Sequence, residues 1–128
     1  MLDNRAVDGN FADVASLDPH AIWDGVAGRV VDGRNVTLSV IELDANAVVP
    51  EHRHENEQLG VLISGSLSFR IGDETRDLAP GGLWRIPADV PHEVRVGPDG
   101  AVVVEAFAPR RDDWDALERR PGAAPRWP

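Results

Sequence analysis

No cysteine occurs in this sequence. Disulfides, thiolate zinc sites and cysteine nucleophiles are therefore excluded. Lysine is missing too: all 13 basic residues are arginine, against 22 acidic residues, for a formal charge of −9. That balance argues against binding the phosphate backbone of a nucleic acid. It argues equally against an anionic membrane surface. No apolar run approaches the roughly 18–20 residues of a membrane span. The opening Met1-Leu2-Asp3-Asn4-Arg5 lacks the basic start and apolar centre of a secretory signal. The expectation is a cytoplasmic protein whose partners include neither nucleic acid nor membrane.

What is present describes one globular domain. The 128 residues are 42% apolar and 27% charged, a normal balance. A chain of this length buries about two thirds of its unfolded surface, enough for a core without staples. Twelve glycines and ten prolines are spread along it, as expected for short strands joined by turns. Residues 1–20 read as an extended N-terminal arm with one helical turn near 11–17. Strands are expected over 21–31, 35–43, 58–64, 66–71, 75–78, 83–86, 90–96 and 101–107. The alternation is plainest where Leu67, Phe69 and Ile71 interleave with Ser66, Ser68 and Arg70. About nine short strands at turn-rich spacing imply an all-β sandwich or barrel, here over 21–111. Residues 112–120 read as a helix capped by Asp112 or Asp113 and stopped at Pro121-Gly122. That short C-terminal helix and its tail occupy 112–128.

Three of the four histidines fall in two suggestive places. His52 and His54 are two apart, so on a strand both point to one face. Two imidazoles on one barrel wall can bind one divalent metal. Gln58 and Glu57 follow closely and each offers an oxygen ligand; on a strand they face opposite walls. His92 adds a third imidazole at a strand start. His20, beside Asp18-Pro19, reads as a turn residue.

This arrangement resembles the two motifs of the cupin superfamily. The first is His52, His54, Gln58 and Gly65, and the second is Gly81, Pro87 and His92. Asn46 replaces the usual leading glycine of the first motif. In the second, Asp89 stands for a glycine and Val96 for the usual asparagine. Only 15 residues separate Gly65 from Gly81, matching the shortest cupins. The resemblance implies a double-stranded β-helix (jelly-roll) barrel with metal ligands His52, His54, Gln58 and His92. It implies one divalent ion, Zn, Ni, Mn or Fe, since imidazole suits several metals. Gln58 stands where most cupins have Glu. Three imidazoles and an amide are all neutral, so the metal keeps its full charge and acts as a stronger Lewis acid.

Glu105, Phe107 and Arg111, followed by Asp112, Asp113 and Trp114, resemble the end of the small pectin-degradation cupins. Those proteins ketonise unsaturated uronates. The resemblance implies Glu105 as proton carrier, Phe107 as pocket wall and Arg111 as a fork for a substrate carboxylate. The plainer alternative is a surface ion pair between Glu105 and Arg111, with Phe107 as core. Arg70 and Arg85 read as solvated. Trp84 suits a pocket lining or a dimer interface. Trp23 lies in an early strand of the kind through which small cupins form homodimers. The expected function is a metal-dependent, non-oxidative enzyme (isomerase, lyase or cyclase type) on a small anionic substrate such as an unsaturated uronate. The alternatives are an Fe(II)-dependent dioxygenase and a non-catalytic metabolite-binding cupin.

Overall fold

The computed structural model describes residues 9–128; the first eight residues of the expected arm lie outside the described residues. Eight strands follow in chain order: β1 (His20–Trp23), β2 (Val26–Asp32), β3 (Thr37–Leu43), β4 (Val48–His52), β5 (Glu57–Ile71), β6 (Glu74–Leu78), β7 (Leu83–Ile86) and β8 (His92–Ala108). Every pairing is antiparallel. The order is β1-β2-β3-β8-β5-β6, with β4 also on β8 and β7 also on β5. This is an all-β barrel of the jelly-roll kind. Among the described residues, no helix is long and apolar enough to cross a membrane.

The spine is the ladder between β5 and β8. It runs from Glu57 opposite Ala108 to Ile71 opposite His92. Where two strands each were expected, over 58–71 and over 90–107, one long strand runs through in each case. Glycine bends these strands without ending them. Gly65 has φ +86°, and a Cβ there would lie 1.9 Å from the Gly100 carbonyl oxygen. Register shifts sit on either side, between Leu62 and Ser64 and between Gly65 and Leu67. At the bend the two backbones approach more closely than any side chain allows.

Alternation along the strands sets what faces inward. In β3, Thr37, Ser39, Ile41 and Leu43 are buried while Leu38 is exposed. In β8, Val103, Glu105 and Phe107 are buried on the same face. The core joins these to Val30, Leu62, Leu67, Phe69, Ile86 and Val94.

Leu17 and Ala123 meet at Arg29 of β2. Arg29 is 2% exposed. Its Nε donates to the Leu17 carbonyl at 3.0 Å and its Nη2 to the Ala123 carbonyl at 2.8 Å. Its Nη1 donates to Glu42 at 3.1 Å. Every face of this buried charge therefore has a partner, as burial requires. The expected helix over 112–120 is only a 3-10 turn, Asp112–Ala116. Pairing with β1 wins over helix extension. The Ala21 amide donates to the Glu118 carbonyl at 2.8 Å, and the Arg120 amide to the Pro19 carbonyl at 3.0 Å. The turn expected near 11–17 is a 3-10 turn at Val14–Ser16. His20 is buried at the start of β1, not in a turn, and its Nε2 accepts from Arg119 Nε at 2.9 Å.

The bend makes a prediction that urea unfolding can check. Gly65→Ala meets both a strained φ and a backbone clash, and is expected to lose about 3 kcal/mol or more. Gly81→Ala is the control: φ there is +94°, but a Cβ meets nothing within 4 Å. It is expected to lose only about 1–2 kcal/mol, the strain alone. Equal losses would remove the close approach from the argument.

Candidate metal centre

The three histidines come from opposite ends of the barrel ladder. His52 closes β4 and pairs with His92 at the start of β8. His54 lies beyond the end of β4, so strand spacing is not what aims it at the site. Its loop is tied down instead. Asn56 is buried, and its Nδ2 donates to the Pro109 carbonyl at 2.5 Å. One ring nitrogen each of His52, His54 and His92 lies within 4.8 Å of the others, a spacing that could hold a metal ion.

Each ring is oriented by a main-chain carbonyl two residues away. His52 Nδ1 faces the Pro50 oxygen at 2.8 Å, His54 Nδ1 the Asn56 oxygen at 2.9 Å, and His92 Nδ1 the Val90 oxygen at 2.9 Å. A carbonyl only accepts, so Nδ1 carries the proton and Nε2 keeps its lone pair. His92 Nε2 is buried without a partner. Burial drives the His92 pKa down to about 4. Burial, reinforced by the charge of Arg111, lowers that of His54. Burial thus favours the neutral form of His54 and His92, and their nitrogens converge with that of His52.

Gln58 and Glu57 separate as alternation requires: Gln58 is 6% exposed and Glu57 is exposed. The Gln58 amide Nε2 donates to Glu105 Oε2. That turns Gln58 Oε1 toward His54 Nε2, at 3.0 Å. Both of these atoms offer lone pairs. Reversing the amide moves the same conflict to an ionised Glu105. A cation resolves it, and the orphaned Nε2 of His92 asks for the same partner. The three histidines can hold a metal ion, and Gln58 Oε1 faces the same point.

Glu105 is 8% exposed and stands in a row across the sheet. Gly60 pairs with Glu105 on one side and with Trp84 on the other. The Trp84 indole donates to Glu105 Oε2 at 2.9 Å. A Cβ on Gly60 would lie 2.3 Å from that indole. Gly60 therefore makes the room through which Trp84 reaches Glu105. Hydrogen bonds to a carboxylate stabilise its charge by about 1.5–3 kcal/mol each. Complete burial costs several kcal/mol. Burial prevails: the Glu105 pKa is raised, with the bonds from Gln58 and Trp84 opposing.

Arg111 does not pair with Glu105. Its Nε and Nη2 donate to the Asp113 carboxylate, both at 3.0 Å. Its guanidinium lies 4.9 Å from the Phe107 ring centre and 4.4 Å from that of Trp114. These bonds hold Asp113 below the usual carboxylate range. One edge of the fork expected for a substrate carboxylate is therefore occupied by Asp113. Phe107 is buried, 5.9 Å from the His54 ring. Trp23 leans over His52, ring centres 5.2 Å apart. His52, Gln58, His92, Glu105, Phe107 and Arg111 line one cavity of about 520 Å³ counting its open mouth, whereas His54, Glu57 and Asp113 do not. Arg70 is bound to Glu51 and Glu93 outside the site.

Sequence reading missed two residues that build this centre. Gly60 stands two residues after Gln58 at an inward strand position; a glycine there signals a bulky neighbour. Asn56 lies between two glutamates and gave no periodic signal.

Comparison with known proteins follows the same lines. The Cupin_2 family, described as the cupin domain, matches residues 39–107. A pectin degradation protein, KdgF, from Dickeya dadantii is 23% identical over 104 residues, covering 77% of this chain and 94% of that protein. The H2HPP isomerase of Bacillus subtilis is 36% identical over 69 residues, 53% of this chain but only 28% of that longer protein. The structure of KdgF from a Halomonas species superposes with a TM-score of 0.75 at 26% identity, covering 83% of this chain and 98% of that one.

Two measurements check the Glu105 environment. Gly60→Ala is expected to push Trp84 off Glu105, shift the tryptophan emission and lose about 2 kcal/mol of stability. An unchanged spectrum would refute the packing argument. The raised pKa of Glu105 means the native state holds that proton more tightly than the unfolded chain. Its contribution is full below the ordinary value of 4.5 and is lost as pH rises through the native value. In metal-free protein, Glu105→Gln should therefore gain stability relative to wild type as pH climbs above that point. A relative loss would reverse the sign.

Proposed function

The chain belongs to the cupin family, and from that premise we propose that it is a metal-dependent enzyme moving a proton, without redox change, on a small oxygenated anion. His52, His54, His92 and Gln58 are the ligands of one divalent ion in this reading. The observation that carries it is the convergence of three histidine nitrogens and the Gln58 carbonyl beside a buried carboxylate. When bound, the ion supplies Lewis acidity toward a substrate oxygen. With four neutral ligands, nothing in that set offsets its charge.

The chain's own groups divide the remaining work. Glu105 receives and returns the proton. Its Oε2 is held by Gln58 and Trp84, which leaves Oε1 as the oxygen neither donor engages. A raised pKa brings a carboxylate closer to neutral pH, where a proton carrier works best. Phe107 excludes water on the His54 side. Arg111 supplies positive charge at the wall, with its orientation set by Asp113 and the rings of Phe107 and Trp114. Relatives named for pectin degradation and for an isomerase support a non-oxidative reaction of the isomerase or lyase type. An unsaturated uronate is the substrate that the pectin-degradation relatives suggest.

The test separates binding from chemistry. Calorimetric titration of metal-free protein should show one equivalent of Zn²⁺ or Ni²⁺ bound, and His92→Ala should abolish it. Glu105→Gln should keep the metal. It should lower, by about a hundredfold or more, the deuterium exchange that the loaded protein catalyses next to a keto group. Full exchange in Glu105→Gln would remove that residue from the chemistry. Absence of metal uptake by wild type would remove the reading itself.

A further inference from the structure

The ligand histidines and Glu105 occupy one part of a cavity whose remaining wall is hydrocarbon. Val26, Ile41, Leu43, Leu67, Phe69 and Val103 form much of that wall, from β2, β3, β5 and β8. All are buried and belong to the main core cluster. The polar side chains on the wall are His52, His92, Gln58, Glu105 and Arg111, and Trp84 adds an indole N–H. Most of their bonding capacity is already engaged, Glu105 Oε1 and the second edge of Arg111 excepted. The histidines and Gln58 face the metal point, Glu105 takes the Gln58 and Trp84 hydrogens, and Arg111 is bonded to Asp113. Among the described residues lining the cavity, no serine, threonine or asparagine side chain is available to a ligand hydroxyl.

That wall discriminates between substrates that share a metal-binding end. A hydroxyl buried without a partner costs roughly tenfold to a hundredfold in affinity. A ring of carbon atoms entering the same space gains by leaving water. We propose that the site takes a keto, enol or hydroxy acid bearing an apolar, ring-sized body, in preference to a polyhydroxylated sugar acid. The acid end and its neighbouring oxygen face the histidines, Gln58 and Glu105. The body lies against the aliphatic wall of β2, β3 and β8. This inference rests on the metal-enzyme reading above and departs from the uronate that the pectin-degradation relatives suggest.

Three 2-hydroxy acids test it on the full chain loaded with Zn²⁺, by calorimetry. Lactate presents the acid end alone, 3-phenyllactate adds an apolar ring, and gluconate adds a hydroxylated chain of similar size. The expected result is phenyllactate at least about tenfold tighter than both others. Gluconate binding as tightly as phenyllactate, or lactate equal to it, overturns the inference and leaves the metal site standing. Failure of all three to bind, lactate included, overturns the metal-enzyme reading and this inference with it.

Discussion

The whole site depends on the curl of one antiparallel ladder. Straight, the β5–β8 pairing would extend for roughly 45 Å at the usual rise per residue. Gln58 and Glu105 lie near one end of it, and His92 lies at the other. Yet the lone pair of His54 is 3.0 Å from Gln58 and within 4.8 Å of His92. Only a ladder bent back on itself brings those ends together. The bend needs two backbones in contact at Gly65 and Gly100, where no side chain fits. A constraint on backbone volume, far from the histidines in sequence, thus governs the geometry of the centre.

Within that frame the site balances opposed electrostatic demands. Burial favours neutral groups, and the donor set is neutral throughout. Glu105 is the exception. It is surrounded by donors that favour its charge and by a depth that opposes it. Gln58 links the two regimes, giving its N–H to the carboxylate and turning its oxygen toward the histidines. A glutamate at position 58 would place two carboxylates side by side and remove the donor. The amide is therefore as much a requirement of Glu105 as of the metal point.

Much of this was legible in the sequence. Alternation identified the inward Leu67 and Phe69 of β5, and the two histidine-bearing segments do meet. Asn46 and Asp89, standing where glycine is usual, both adopt φ of 61°, a conformation their short polar side chains tolerate. Other features were hidden because they depend on pairing across the barrel. Gly65 reads as a strand break when its neighbour Gly100 is unknown. The 112–120 segment has helical spacing, and only its contact with β1 stops the turn early. The Trp84–Gly60–Glu105 row joins three strands, and no single stretch of sequence contains it.

The aiming of the three imidazoles rests on main-chain oxygens, those of Pro50, Asn56 and Val90. The side chains that β2 and β3 give to the cavity wall take no part in those bonds. The ligand set and the wall are therefore separable inheritances. Side chains of β2 and β3 can be exchanged to suit another guest while the three rings keep their tautomers. A barrel made this way can change guests without re-aiming its histidines: their orientation is written in backbone, and the lining of the cavity in side chains.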